Sequence, residues 1–173
     1  MQALASQYSQ QLQALKVLIV DDEATMRKVT RSLLQVIGVR TIYEASNGHS
    51  GLDAICRWAP DVVILDWSMP DLNGTDFIRQ VRVPGVFPHP AVPIIMLTAH
   101  GERSRVVEAV RLGVNEFLLK PVSSTALLTR LVSILANPRQ MVKKGDYYGP
   151  APRKMSSYKP EDDPALTEIV LVN

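Results

Sequence analysis

Residues 62–70 read Val-Val-Ile-Leu-Asp-Trp-Ser-Met-Pro. Four apolar side chains run without a break into Asp66. A strand with one wet face alternates apolar and polar residues, because successive side chains point to opposite faces. An unbroken apolar run suits a strand covered on both sides, as in a parallel sheet. Residues 62–65 therefore read as an inner parallel strand that delivers a carboxylate at its end.

The same pattern recurs on either side. Residues 17–20, 94–97 and 117–119 are continuous apolar runs, and residues 41–44 form a weaker strand between the first two. Between the runs lie segments with helical spacing. Residues 25–37 place Met26, Val29, Leu33, Val36 and Ile37 near one face. Residues 50–58 carry Leu52, Ile55 and Cys56, and residues 75–81 carry Phe77, Ile78 and Val81. Residues 103–112 and 123–135 complete the series, the last opening on a Ser-Ser-Thr cap signal. Strands alternating with helices predict an α/β fold, a doubly wound five-stranded parallel sheet flanked by five helices.

The repeating unit spans residues 16–136, and three segments fall outside its pattern. Residues 1–15 form an N-terminal helical extension, with Leu4, Tyr8, Leu12 and Leu15 at helical spacing. Residues 82–93 contain Pro84, Pro88, Pro90 and Pro93 and predict a loop, since proline removes a backbone donor and fixes φ. Residues 137–173 predict a C-terminal arm without a core of its own, as 37 residues bury too little surface to fold alone. It mixes prolines and basic residues with an acidic cluster at 161–163 and an apolar end at 169–172.

Composition narrows the class. Apolar residues make up 46% of the 173 and charged residues 21%, the balance of a globular protein. Nineteen Lys and Arg against 17 Asp and Glu leave a formal charge of +2, too little to indicate nucleic-acid binding. Cys56 is the only cysteine, which excludes an internal disulfide and fits a reducing cytoplasm. No signal peptide is visible, and no apolar run approaches the roughly 18 residues of a membrane span. The expectation is a cytoplasmic protein.

In open parallel sheets, ligands bind beyond the carboxyl ends of the strands. The first run ends in Asp21-Asp22, the third strand in Asp66, the fourth in Thr98-Ala99 and the fifth in Lys120-Pro121. Three carboxylates together repel. At roughly 5 Å and an effective dielectric near 20, each pair costs on the order of 3 kcal/mol. Such a cluster calls for a cation. With oxygen ligands alone and no histidine or cysteine among them, Mg²⁺ fits best and Mn²⁺ is a plausible substitute. Asp can serve as a covalent nucleophile toward phosphorus, with Lys120 and Thr98 on hand to meet the phosphoryl oxygens.

The set Val20-Asp21-Asp22, Leu65-Asp66-Trp67-Ser68-Met69-Pro70, Leu97-Thr98-Ala99 and Leu119-Lys120-Pro121 resembles the receiver domain of two-component response regulators. The resemblance covers about residues 16–136 and keeps all motifs in the family's order. It implies the flavodoxin-like receiver fold and a single-domain regulator. Asp66 is then the phosphoacceptor, Asp22 a direct metal ligand and Asp21 a ligand through water. The backbone carbonyl of Ser68 is a further ligand. Lys120 pairs with Asp66 and then with the phosphoryl group, ahead of a cis Lys120-Pro121 bond. Thr98 is the switch hydroxyl, and Phe117 stands at the aromatic switch position, where tyrosine is frequent in the family. Ser68 and His100, two residues after Asp66 and Thr98, tune the lifetime of the phosphate.

The resemblance further implies a sensor histidine kinase or phosphotransfer protein as partner. The protein is then a signalling phosphoacceptor with an intrinsic autophosphatase activity rather than an enzyme. Homodimerisation would use the face built from the fourth helix, fifth strand and fifth helix, or the terminal extensions. Arg103, Arg105, Glu108 and Arg111 lie on that helix, where a solvated face is the plainer reading.

Plainer readings exist for other residues too. Asp21 and Asp22 alone would suit the start of a helix, but Asp66, Thr98 and Lys120 make that insufficient. Glu23 reads as a first-turn helix acid and not a ligand. Cys56 reads as buried filler on an apolar face, Phe117 as a core aromatic, and Trp67 as packing that also reports metal binding by fluorescence. A haloacid-dehalogenase-type hydrolase would want a second acid two residues after the nucleophile, where this chain has Ser68. A receiver-like interaction module without phosphate would not need the acid, hydroxyl and lysine set. The apolar residues 169–172 and Tyr147-Tyr148 suggest that the tail docks on its own domain or on a neighbouring subunit.

Overall fold

The computed structural model describes residues 2–99 and 103–152, without the side chains of residues 2, 5 and 103–105. Two short helices, α1 (Gln2–Gln7) and α2 (Ser9–Ala14), lead into β1 (Lys16–Val20) and α3 (Ala24–Ile37). There follow β2 (Thr41–Ala45), α4 (Gly48–Trp58), β3 (Val62–Asp66) and α5 (Gly74–Val81). The unit closes with β4 (Ile94–Thr98), α6 (Arg103–Leu112), β5 (Glu116–Leu119) and α7 (Ser124–Ala136). All five strands are parallel, in the order β2-β1-β3-β4-β5. The fold is the doubly wound parallel sheet expected from the apolar runs.

Continuous apolar runs are needed because both faces of the sheet are buried. Leu18, Val20, Val63, Leu65, Ile94 and Met96 face one cluster, closed by Ile55, Phe77, Ile78, Val81 and Ala109 of α4, α5 and α6. Val17, Ile19, Ile64, Ile95 and Leu97 face the other, closed by Leu34 and Ile37 of α3 and Leu127 and Leu131 of α7. Helix starts follow local chemistry. The Asn47 side chain accepts from Ser50 N ahead of α4, and the Ser123 hydroxyl accepts from Ala126 N ahead of α7.

Several local expectations need correction. In α3, Thr30, Leu34 and Ile37 are buried, whereas Val29 and Val36 are exposed. At 100° per residue they lie roughly 110–130° from the centre of the buried stripe. Cys56 is exposed and not buried filler. The inward face of α4 is made by Gly48, Gly51, Ala54 and Ile55, and position 56 turns away from it. The N-terminal segment is two helices and not one, broken at Tyr8 (φ −104°, ψ 13°). Leu12 and Leu15 are nevertheless buried against the α3–α7 side of the core.

Residues 82–93 form the irregular loop that the prolines demand. Arg82 at its start is buried and donates to the carbonyls of Gly113, Pro90 and Val92 and to Asn115 Oδ1. Beyond α7, the described part of the tail is not a featureless arm. Strands β6 (Met141–Lys144) and β7 (Tyr147–Pro150) pair antiparallel, with Val142 opposite Gly149. The hairpin lies against the α6–β5 turn, where Arg139 Nη2 donates to the carbonyls of Val114 and Asn115. The acidic cluster 161–163 and the apolar end 169–172 lie outside the described residues.

Candidate functional site

Register brings the strand ends together. Val20 stands opposite Leu65, so Asp21 is level with Asp66; Asp66 stands opposite Leu97, one residue short of Thr98. Thr98 stands opposite Leu119, so Lys120 is next in line. The strand order reverses between β1 and β3, the crevice where a parallel sheet accepts ligands. Asp21, Asp22 and Asp66 each offer one carboxylate oxygen, and these atoms lie within 4.8 Å of one another.

Lys120 ties the cluster together. Its Nζ lies 2.8 Å from Asp66 Oδ1 and 3.1 Å from Asp21 Oδ2. The other oxygen of each acid meets an amide: Asp66 Oδ2 accepts from Ser68 N at 3.1 Å, and Asp21 Oδ1 from Glu23 N at 2.8 Å. Burial pushes the Asp66 carboxyl above the usual range, aided by the charge of Asp21 and opposed by Lys120 and the Ser68 amide. Burial works against the Lys120 ammonium. The hydrogen bonds and charges of Asp66 and Asp21 outweigh it and hold that pKa above the ordinary lysine value. The result is a lysine that stays charged beside an acid strained by desolvation.

Asp21 and Thr98 are buried and Asp22 is exposed, while Ser68 is exposed two residues after Asp66. The Thr98 carbonyl accepts from Lys120 N at 2.8 Å, and the Lys120-Pro121 bond is cis. Phe117 is partly buried against the core on the α4–α6 side. Glu23 is exposed at the N-cap of α3 and is not among the clustered acids. His100 lies outside the described residues, as do the side chains at positions 103 and 105; Glu108 and Arg111 are exposed.

Glycine 74 was not singled out from the sequence. Gly74 N donates to Trp67 O at 2.9 Å, and a Cβ at this position would stand 2.6 Å from Asp66 O. The chain after Asp66 can double back only because this side chain is missing. The Asn-Gly pair at 73–74, before an apolar helical pattern, is the signal that could have found it.

The donor set suits a hard divalent cation. Octahedral coordination at about 2.1 Å separates neighbouring ligand oxygens by roughly 3 Å and opposite ones by roughly 4 Å. A spread of 4.8 Å therefore needs only a small contraction. Lys120 already supplies one positive charge, and the exposed Asp22 leaves the cluster open to solvent on one side.

Residues 17–132 match the family model described as the response regulator receiver domain. The chain is 34% identical over 120 residues to the chemotaxis protein CheY-3 of Vibrio cholerae, covering 69% of this chain and 91% of that one. It is also 34% identical over 122 residues to the chemotaxis protein CheY1 of Helicobacter pylori, covering 70% and 97%. Among solved structures, a putative response regulator from Chloroflexus aurantiacus matches with a TM-score of 0.65 at 31% identity, covering 71% of this chain and 98% of that one. Fold and matches together define a signalling protein of the two-component type. The chain belongs to the response regulator receiver domain family. Helices α1 and α2 and the hairpin β6–β7 lie outside the segment that the family model matches.

Proposed function

We propose that Asp66 accepts a phosphoryl group from a sensor histidine kinase or a phosphotransfer protein. One carboxylate oxygen attacks the phosphorus, the phosphorus–nitrogen bond of the donor phosphohistidine breaks, and the leaving imidazole takes up a proton. The observation that carries this reading is Lys120 Nζ, set between Asp66 and Asp21 where it can follow the phosphoryl oxygens. Asp22, Asp66 and the Ser68 carbonyl, with Asp21 acting through water, would hold Mg²⁺ or Mn²⁺. When bound, the cation neutralises charge on the transferred group.

In this reading the Thr98 hydroxyl turns toward the phosphoryl group and Phe117 moves with it, altering the surface offered to partners. Ser68 and His100 set how fast the aspartyl phosphate is lost, an intrinsic autophosphatase activity. Residues 16–136 are the receiver unit, and residues 1–15 and 137–173 are extensions that support partner binding or a homodimer. The face built from α6, β5 and α7 is the other candidate for that dimer. Among the described residues no helix is long and apolar enough to cross a membrane, and the setting we assign is the cytoplasm, with proteins and not nucleic acid as partners.

Incubation with acetyl phosphate and Mg²⁺ tests the reading. The expected product is an acid-stable, base-labile adduct of one phosphoryl mass on Asp66, absent without the metal and absent in Asp66→Asn. No adduct on the unsubstituted protein would leave an interaction module that works without phosphate. Steady turnover of many phosphate esters would point to a hydrolase.

A further inference from the structure

The three acids are held to different degrees. Asp66 is fixed by Lys120 and the Ser68 amide, and Asp21 by Lys120 and the Glu23 amide. Asp22 is exposed, and among the described residues its carboxylate has neither a hydrogen bond nor an ion pair. Its place in the cluster is therefore set by the backbone that carries it, the short turn between β1 and α3.

Besides the Asp21 carboxylate on the Glu23 amide, a side chain from α3 holds that backbone. Arg27 Nη1, one turn into α3, donates to the carbonyl of Asp21 at 2.8 Å and to that of Asp22 at 3.2 Å. Arg27 Nε meets Glu44 Oε2 on β2 at 3.3 Å, and the second oxygen of Glu44 takes an ion pair from Arg31. Arg31 Nη2 is itself anchored on the Ile42 carbonyl at 3.0 Å. The chain of contacts runs from the edge strand through Glu44 and Arg27 to two successive peptide planes beneath the acids.

We infer that Arg27 is a positioning residue for the cation site, aimed by Glu44, and that it fixes the turn from which Asp22 reaches the ion. The inference rests on the function proposed above. A guanidinium is suited to the role because its planar fork can hold carbonyls on one edge and a carboxylate on another. Its charge works in the opposite direction. A positive group beside a cation site repels the ion, so an Arg27 that acted only through its charge would weaken Mg²⁺ binding. Positioning and repulsion thus predict opposite signs.

The test is the Mg²⁺ dissociation constant of the full chain, by isothermal titration calorimetry and by Trp67 fluorescence, in Arg27→Ala, Arg27→Lys and Glu44→Gln. Groups that orient ligands typically cost 10–100-fold in affinity when removed. Arg27→Ala should raise Kd about tenfold, Arg27→Lys should recover part of the loss, and Glu44→Gln should show a smaller increase. At saturating Mg²⁺, the rate of labelling by acetyl phosphate in Arg27→Ala should return close to that of the unsubstituted protein. Unchanged or tighter binding in a folded Arg27→Ala overturns the inference. Should that variant lose its far-ultraviolet circular dichroism, unchanged affinity in Glu44→Gln overturns it instead. Failure of the unsubstituted protein to bind Mg²⁺ would overturn the proposed function as well, which separates the two.

Discussion

Gly113 and Gly149 meet backbone to backbone. A Cβ added to Gly149 would stand 2.7 Å from the Gly113 Cα and 2.5 Å from the Tyr147 hydroxyl. A Cβ on Gly113, which also has φ +91°, would stand 2.9 Å from Tyr148 O. The hairpin docks at the α6–β5 turn only because both side chains are absent. Gly149→Ala should unseat β6–β7 at a cost of about 1–3 kcal/mol, the usual range for overpacking. Hydrogen exchange should show lost protection of the β6–β7 amides, with labelling of Asp66 by acetyl phosphate unchanged, because the turn lies at the opposite end of β5 from Lys120.

Arg82 is a buried cation that meets no carboxylate among the described residues. Burial lowers its pKa to about 10, which still leaves it charged at neutral pH. Its guanidinium instead serves three carbonyls and Asn115 Oδ1. Replacement by alanine strands those acceptors and frees the proline-rich loop. The expected loss is about 2–4 kcal/mol, read as a lower urea midpoint with an unchanged slope.

Asp66→Asn should abolish labelling and raise the thermal midpoint of the metal-free protein. The folded-state pKa of Asp66 is raised, chiefly by burial, so its ionised form costs the fold stability at every pH above that value. Removing the charge removes the cost. At pH 7 the midpoint of Asp66→Asn is expected above that of the unsubstituted protein. As the pH falls through the raised pKa, the unsubstituted protein becomes neutral at this site and the difference should shrink. Equal midpoints at pH 7 would contradict the assignment.

Lys120→Ala should separate binding from chemistry. The ammonium contacts Asp66 and Asp21, yet it repels any cation placed among them. Its loss should leave the Mg²⁺ dissociation constant within about threefold and slow labelling by about a hundredfold, the order seen when one donor to a charged transition state is removed. Parallel loss of both would assign Lys120 to metal binding or to folding alone.

Much of the architecture was legible because both faces of the sheet are covered. The unbroken runs around Ile19, Ile64 and Ile95 have no other economical explanation, and the residues that end them gather at one rim by parallel register. Asn73-Gly74 carries a turn signal, but what Gly74 and Arg27 do was not legible. Each acts on backbone atoms several places away in sequence, and that geometry exists only after folding. The hairpin was missed because β6 and β7 are four residues each and lack a core of their own. They borrow the surface of the α6–β5 turn, so a segment judged by its own composition looks unstructured. Cys56 and Val36 were misplaced for a simpler reason: an apolar residue within a helical pattern need not lie on its buried side.

The formal charges at the rim have a consequence for ion choice. Three carboxylates less one ammonium leave two negative charges when all are ionised. Potassium or sodium would offset only half of that, so abundant monovalent ions are poor competitors whatever their radius. A cation site at this rim would discriminate by valence, and raising the background of monovalent salt should lower occupancy only through screening.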